Sequence, residues 1–200
     1  MKLEKYKWTL PKNKIVVGLT GGICSGKSEV LKIFKNLGAT TLSADDISAK
    51  ILSSNKQVKA QISKKFGEKF TKKLLADKIF ANPKHKLWLE NLLHPEIIKQ
   101  AGLQIKKSKK KLIIFEAPIL FETKLESFFN LTLCIFADDK IRIKRALKRK
   151  ITKTEFLKRN KTQILLSKKA MLSDIVIDNN GNTKNLKEKV KNLNKSLRRI

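Results

Sequence analysis

The stretch Ile15-Val16-Val17-Gly18-Leu19-Thr20-Gly21-Gly22-Ile23-Cys24-Ser25-Gly26-Lys27-Ser28 decides the fold. Its first five residues are a short apolar run rich in β-branched side chains, the mark of a buried strand in a parallel sheet. Its last eight match G-x-x-x-x-G-K-[ST], a loop whose backbone N–H groups wrap phosphates. From Ser28 onward apolar residues fall at Val30, Leu31, Ile33, Phe34 and Leu37, a helical spacing, and Gly38 supplies the stop. Strand, glycine-rich loop and helix in this order are what phosphate binding needs, because the helix N-terminus adds its positive end to the loop amides. The amides of 24–28 would then surround a triphosphate. Lys27 would bridge its β- and γ-phosphates, and the Ser28 hydroxyl would ligate Mg²⁺.

Outward from that stretch, short apolar strands alternate with helices. Strands are predicted at 40–43, 111–116, 131–137 and 175–177, and helices from Asp45 or Asp46 to Leu52, over most of 55–108, from Asp138 or Asp139 to about 150, over 154–166 and over 184–199. Asn82-Pro83 reads as an N-cap followed by a first helical residue. This alternation argues an α/β fold, a parallel sheet with helices on both faces and a helical insertion in the middle of the chain. Residues 1–13 read as a tail.

Composition narrows the function classes. A chain of 200 residues is one domain's worth and needs no disulfide staples. Its two cysteines, Cys24 and Cys134, stand far apart with no CxxC or Cys/His cluster, which excludes structural zinc and a secreted disulfide scaffold. No stretch approaches the length of a membrane span, and the N-terminus lacks a cleavage site, so a cytoplasmic location is expected. The net charge of +29 favours anionic partners. The lysines are nevertheless spread along the whole chain, and no aromatic residues interleave with them as a nucleic-acid platform requires, so neither a specific nucleic acid nor a membrane is expected as partner. Only six of the 46 basic residues are arginine, and four of these, Arg142, Arg145, Arg149 and Arg159, fall in one short window.

Candidate chemistry sits around the strand ends. Asp45 and Asp46 follow the second strand, where a carboxylate would face the phosphates and take the proton of an attacking hydroxyl, or would simply cap the next helix. Glu116 ends a strand at the place of an acid near Mg²⁺, or is simply a buried or solvated strand-end residue. Arg142, Arg145 and Arg149 lie at i, i+3 and i+7 on one helix face. Like charges there disfavour the helix unless an anion lies between them, so a mobile phosphate-clamping lid is expected, with a plain surface helix as the alternative. Cys24, at a helix N-terminus beside Lys27, is expected to be a reactive thiol open to solvent when no nucleotide is bound, or else a tolerated small residue at a position without positive φ. Cys134, on an apolar strand, should be inert. His85 and His94 have no paired ligand spacing, and His94-Pro95 reads either as helix punctuation or as a substrate contact.

The same motifs, taken together, resemble the dephospho-CoA kinase family. The resemblance is carried by Leu19-Thr-Gly-Gly-Ile-x-Ser-Gly-Lys-Ser28, Leu37-Gly-Ala, Ala44-Asp45-x-Ile47, Leu89-Glu-x-x-Leu-His94-Pro95-x-Ile97, Pro118-x-Leu-Phe-Glu122, Arg145-x-x-x-Arg149, Arg159-x-x-x-Gln163 and Val176-Ile-Asp-Asn179. It implies transfer of the ATP γ-phosphate to the ribose 3′-hydroxyl of dephospho-coenzyme A, the last step of coenzyme A synthesis; Mg²⁺ is expected with ATP, and a monomer is expected although the sequence does not settle the oligomeric state. The implied fold is a three-layer P-loop kinase core over 14–45, 111–140 and 170–200, with a helical CoA-side insertion at about 46–108 and a small helical lid at about 141–166, all in one domain spanning 14–200. By matching positions, Asp45 would be the base, with Lys27 and Arg145 assisting transfer. Gly21, Gly22, Ile23, Cys24, Ser25, Gly26, Lys27, Ser28 and Glu29 would hold ATP together with Arg145, Arg149 and Asn179. His94, Pro118, Leu120, Phe121 and Glu122 would line the acceptor side, and Ser28 with Glu116 would serve the metal.

Four positions depart from that pattern. Cys24 stands where the family has glycine, Ser43 replaces an acid two residues before the base, Glu116 replaces an aspartate, and Ala49 stands where arginine is common. Another small-molecule P-loop kinase would share the loop and the arginines but lack the Leu-His-Pro and Pro-x-Leu-Phe-Glu segments. A nucleic-acid-binding ATPase would need a basic stripe and a sensor strand, and the sequence has neither.

Overall fold

The computed structural model describes residues 3–67 and 71–200. The apolar run forms β1 (Ile15–Gly21), the glycine-rich loop closes onto α1 (Lys27–Asn36), and the chain returns as β2 (Thr40–Ser43). Four helices follow, α2 (Ala44–Ser54), α3 (Lys56–Phe66), α4 (Lys72–Ala81) and α5 (Pro83–Lys107). Then come β3 (Leu112–Glu116), β4 (Leu131–Phe136), α6 (Asp139–Lys148), α7 (Lys153–Lys161), α8 (Leu166–Leu172), β5 (Ile175–Asp178) and α9 (Thr183–Leu197). The described chain divides into two compact units: residues up to Trp8 with Ala44–Gln104, and Thr9–Ser43 with Ile105–Ile200. Among the described residues no helix is long and apolar enough to cross a membrane.

The second unit holds a five-stranded sheet in the order β2-β3-β1-β4-β5, with every pairing parallel. Leu19 and Ser43 both sit opposite Glu116, and Gly21 sits opposite Ile135, so the carboxyl ends of the strands share one edge. That edge is where open parallel sheets take their ligands. On one face Val17, Leu19, Ile114, Leu133 and Ile135 pack with Val30 and Phe34 of α1 and Leu186 and Val190 of α9. At the far end of α1, Arg198 donates to the Leu37 carbonyl at 2.8 Å, satisfying one of the acceptors a helix end leaves open.

Gly18 explains the other face. Strand alternation turns it away from Val17 and Leu19, and a Cβ there would lie 2.6 Å from Phe129 and 2.7 Å from Leu120. Glycine in an otherwise β-branched strand therefore lets the loop after β3 close down on the sheet, with Phe115 and Phe129 stacked at 5.8 Å.

In the other unit, Phe66 makes T-shaped contacts with His85 and Trp88 at centroid distances of 5.1 and 5.5 Å. His85 is thereby a packing residue. Asn82 caps as predicted, its Oδ1 accepting from the Lys84 N–H at 2.9 Å. His94-Pro95 is not punctuation, because α5 runs through Pro95 unbroken. The N-terminal segment is more than a tail. Leu3 is buried, Glu4–Tyr6 form a 3-10 turn, and a Cβ on Gly102 would meet Trp8 at 3.3 Å. The helix predicted over 154–166 stops at Lys161, and a separate α8 follows that the sequence reading did not contain. The break falls at Thr162–Leu165, where Ile164 gives its N–H to the Glu122 side chain at 3.0 Å instead of to a helix carbonyl.

A small apolar cluster gathers Cys24, Ala146 and Phe156, flanked by Ile23, Ile143 and Ile151. Both readings of Cys24 fail here. Its φ is +59°, a left-handed conformation that costs an L-residue about 1–2 kcal/mol, so the position is one that favours glycine after all. Its side chain is buried among α6 and α7 rather than open to solvent. Burial of this thiol offsets part of the backbone strain. Cys134 is fully buried, and burial pushes its thiol up to about 11 against the pull of Lys169 and Lys27. Iodoacetamide at neutral pH should therefore alkylate both cysteines slowly in the folded protein, at the same rate with and without Mg-ATP, and quickly in urea. Fast Cys24 labelling that Mg-ATP suppresses would contradict this packing.

Candidate active site

Between β1 and α1 the backbone turns through Gly21 at φ +146°, Cys24 at +59° and Gly26 at +110°. Gly26 is the N-cap of α1 and brings no side-chain hydrogen bond, so the first amides of the helix keep no internal partner. A Cβ at Gly26 would lie 2.2 Å from the Asn179 Nδ2. Glycine at 26 thus serves both the left-handed corner and the close approach of Asn179. The Lys27 ammonium folds back over the loop, donating to the Gly21 carbonyl at 3.0 Å and the Gly22 carbonyl at 2.9 Å. Those carbonyls hold the cation in the loop's mouth. Ser25 is fully buried and its hydroxyl has no hydrogen-bond partner among the described residues, while Ser28 and Glu29 are exposed on the first turn of α1.

Asn179, just past β5, and Arg145 of α6 brace the same turn. The Ser25 carbonyl accepts from Asn179 Nδ2 at 2.7 Å and from Arg145 at 3.3 Å, and Arg145 also donates to the Asn179 carbonyl at 2.8 Å. The planar guanidinium fork reaches two carbonyls with separate nitrogens in a fixed geometry that a lysine does not reproduce. Arg149 is exposed at the C-cap of α6.

Arg142 departs from its expected part. It is 1% exposed, with its guanidinium 5.3 Å over the Phe156 ring, and it donates to Asp139, to Asn160 at 3.0 Å and to the Ile23 carbonyl at 3.4 Å. A buried, internally paired arginine ties α6 and α7 to the phosphate loop and is not a clamp on a ligand. The arginine spacing therefore splits into a buried Arg142, a half-buried Arg145 that braces the phosphate loop, and an exposed Arg149.

After β3 the chain passes Pro118 and Leu120 to Phe121 and Glu122. Leu120 is fully buried against the Gly18 position, so it holds the loop to the sheet and does not line an open surface. Phe121 and Glu122 are half-buried. The Pro118 carbonyl accepts from Thr20 at 3.3 Å and from Lys169 at 2.5 Å. Glu122 pairs with Lys169 at 2.9 Å. Lys169 is a buried cation against this loop that the sequence reading missed. One lysine among so many drew no notice, although Leu166, Lys169, Ala170 and Ser173 share a helical stripe that puts this lysine on the inner face of α8.

Asp45 and His94 belong to the other unit. Asp45 is exposed in the first turn of α2 and, among the described residues, has no hydrogen-bond or ion-pair partner. It is inside the helix, not at the capping position before it. Burial lowers the pKa of His94, with Glu90 one turn earlier opposing, so the ring is neutral at physiological pH. Glu116 is buried at the end of β3, opposite Ser43.

Comparison with known proteins places this geometry. A family model described as dephospho-CoA kinase matches residues 15–185. A dephospho-CoA kinase from Buchnera aphidicola subsp. Schizaphis graminum is 39% identical over 180 residues, covering 86% of this chain and 86% of that one. The crystal structure of TT1252 from Thermus thermophilus superposes with a TM-score of 0.81 at 26% identity, covering 91% of this chain and 97% of the other. A dephospho-CoA kinase structure from Campylobacter jejuni gives a TM-score of 0.66 at 25% identity, with coverages of 89% and 94%. The chain, a parallel α/β protein with its phosphate loop at the strand ends, belongs to the dephospho-CoA kinase family.

Proposed function

We propose that this protein transfers the γ-phosphate of ATP to the ribose 3′-hydroxyl of dephospho-coenzyme A. One observation carries the reading: within a family match over 15–185, the N-terminus of α1 is left without a side-chain cap, its amides ready for an anion. The loop amides and Lys27 would take the β- and γ-phosphates, with Lys27 exchanging the Gly21 and Gly22 carbonyls for phosphate oxygens. Arg145 donates to the Ser25 carbonyl, bracing the loop, and its charge would assist the transfer.

Magnesium takes oxygen ligands, keeps several waters and is usually shared with the substrate phosphates. Ser28 and Glu116 offer oxygen alone, and no group of three or more His, Cys, Asp or Glu fit to hold a metal occurs among the described residues. These oxygen donors suit an ion that arrives on ATP, for which Ser28 would supply a hydroxyl and Glu116 a carboxylate. When bound there, it would neutralise charge on the β- and γ-oxygens.

In the transfer itself, Asp45 accepts the proton of the 3′-hydroxyl as the oxygen–phosphorus bond forms. The bond from the γ-phosphorus to the bridging oxygen breaks, and ADP leaves with that electron pair. Asp45 suits the role because its carboxylate is exposed and uncommitted to described neighbours. Neutral His94 and the residues at 118–122 would receive the acceptor, and Asn179 would lie near the adenine of ATP.

With dephospho-CoA as acceptor, Asp45→Asn should lower kcat by about 10²–10⁴-fold while leaving ATP affinity largely unchanged. A variant keeping more than about a tenth of the wild-type rate would reassign the base. Lys27→Ala should raise the ATP KM and lower kcat together, since it touches the transferred group in ground and transition states. Unchanged values of both would overturn the phosphate-loop assignment. Arg145→Lys keeps the charge but loses the fork, and a clear drop in kcat is expected; wild-type turnover would show that the fork's two carbonyl contacts do not serve the transfer.

A further inference from the structure

Lys169 is wholly buried on α8. Its ammonium has three donors, and three acceptors meet it: the Pro118 carbonyl at 2.5 Å, Glu122 Oε1 at 2.9 Å and Gln163 Oε1 at 3.3 Å. Burying a lysine is costly, and a well-packed apolar pair often serves stability equally well or better. The charge therefore calls for a reason other than stability.

Geometry supplies one. Pro118 and Glu122 lie on the loop after β3, whereas Gln163 and Ile164 lie in the link through which α7 rejoins the core at α8. Pro118 also accepts from Thr20, the residue before the first glycine of the phosphate loop. One buried cation thus joins the end of β1, the loop after β3 and the α7–α8 link. Glu122 meets both Lys169 and the Ile164 N–H with Oε1 alone. Its Oε2 is buried and has no hydrogen-bond partner among the described residues. A buried carboxylate oxygen held in place and left unpaired is one a ligand donor can complete.

We propose that Lys169 is a positioning residue for the phosphate acceptor: by holding Pro118 and Glu122 it sets the 118–122 loop and presents Glu122 Oε2 to a hydroxyl or amide donor of that substrate. This rests on the reading of the protein as a dephospho-CoA kinase with 118–122 on its acceptor side. Lys169 does not itself meet the reacting atoms. Its influence falls on acceptor binding rather than on the nucleotide.

The test is a comparison of wild type, Lys169→Met and the double variant Lys169→Met/Glu122→Leu. Each is followed by thermal melting and by KM for ATP and for dephospho-CoA separately. Lys169→Met should raise the acceptor KM by about 10-fold or more, as a small misplacement of a binding loop does, with the ATP KM unchanged. The double variant should regain melting stability, because no charge is left buried alone, and yet keep the raised acceptor KM. If Lys169→Met does not fold, the double variant carries the test. A wild-type acceptor KM in either folded variant, or an equal rise in both KM values, would overturn the proposal. Absence of wild-type turnover with dephospho-CoA would instead overturn the functional reading, and the same KM comparison would then be made with whichever acceptor the wild type phosphorylates.

Discussion

The turn from β1 into α1 must deliver a helix N-terminus that no side chain caps. Satisfying that constraint shapes the whole carboxyl edge of the sheet. A helix N-terminus without a side-chain cap is ordinarily a defect, because its first N–H groups go unpaired. Here the defect is held open. Glycine at 26 allows the left-handed corner, Asn179 and Arg145 grip the Ser25 carbonyl from outside, and Lys27 closes over Gly21 and Gly22 from inside. Central placement of β1 then puts strands on both sides of the loop, so its base cannot drift.

The arginine-bearing helices are built onto that turn. Arg142 and the small cluster around Cys24 and Phe156 join α6 and α7 to residues 23 and 24, while Lys169 joins the far end of the same segment to the loop after β3. Two buried cations at the two ends of one segment have the same logic. Each exchanges hydration for carbonyl and carboxylate oxygens that come from separate chain segments, and each fixes a register that apolar packing alone would leave loose. The placement of cysteine at 24 belongs to this arrangement. The left-handed backbone is strained with a side chain, but the thiol reaches into the cluster that anchors α6 and α7.

Much of the fold was legible because its signals are local. The apolar run at 15–19, the glycine-lysine-serine loop and the helical spacing up to Leu37 are each contained in one short window, and the order of strands and helices followed from them. What escaped was set by contacts between distant residues. The break at Thr162–Leu165 exists because Glu122, some forty residues earlier in the chain, takes the Ile164 N–H. Arg142 and Arg145 look alike in sequence, and only the Phe156 ring and the Ile23 carbonyl distinguish the buried one from its neighbour. The positive φ at Cys24 was hinted at by the glycine customary there, but a side chain at that position hides the need. Lysine abundance concealed Lys169, since composition gives every lysine the same bland explanation.

The central claim is that a common phosphate loop here serves one particular acceptor. The most direct measurement is ATP consumption by the purified protein with dephospho-CoA, set against nucleosides and nucleotides at equal concentration, with the product's phosphate position read by mass and phosphorus spectra. The account predicts turnover with dephospho-CoA well above every other acceptor and one added phosphate on the ribose 3′-oxygen. Equal or faster turnover with another acceptor, or phosphate at another position, would contradict it.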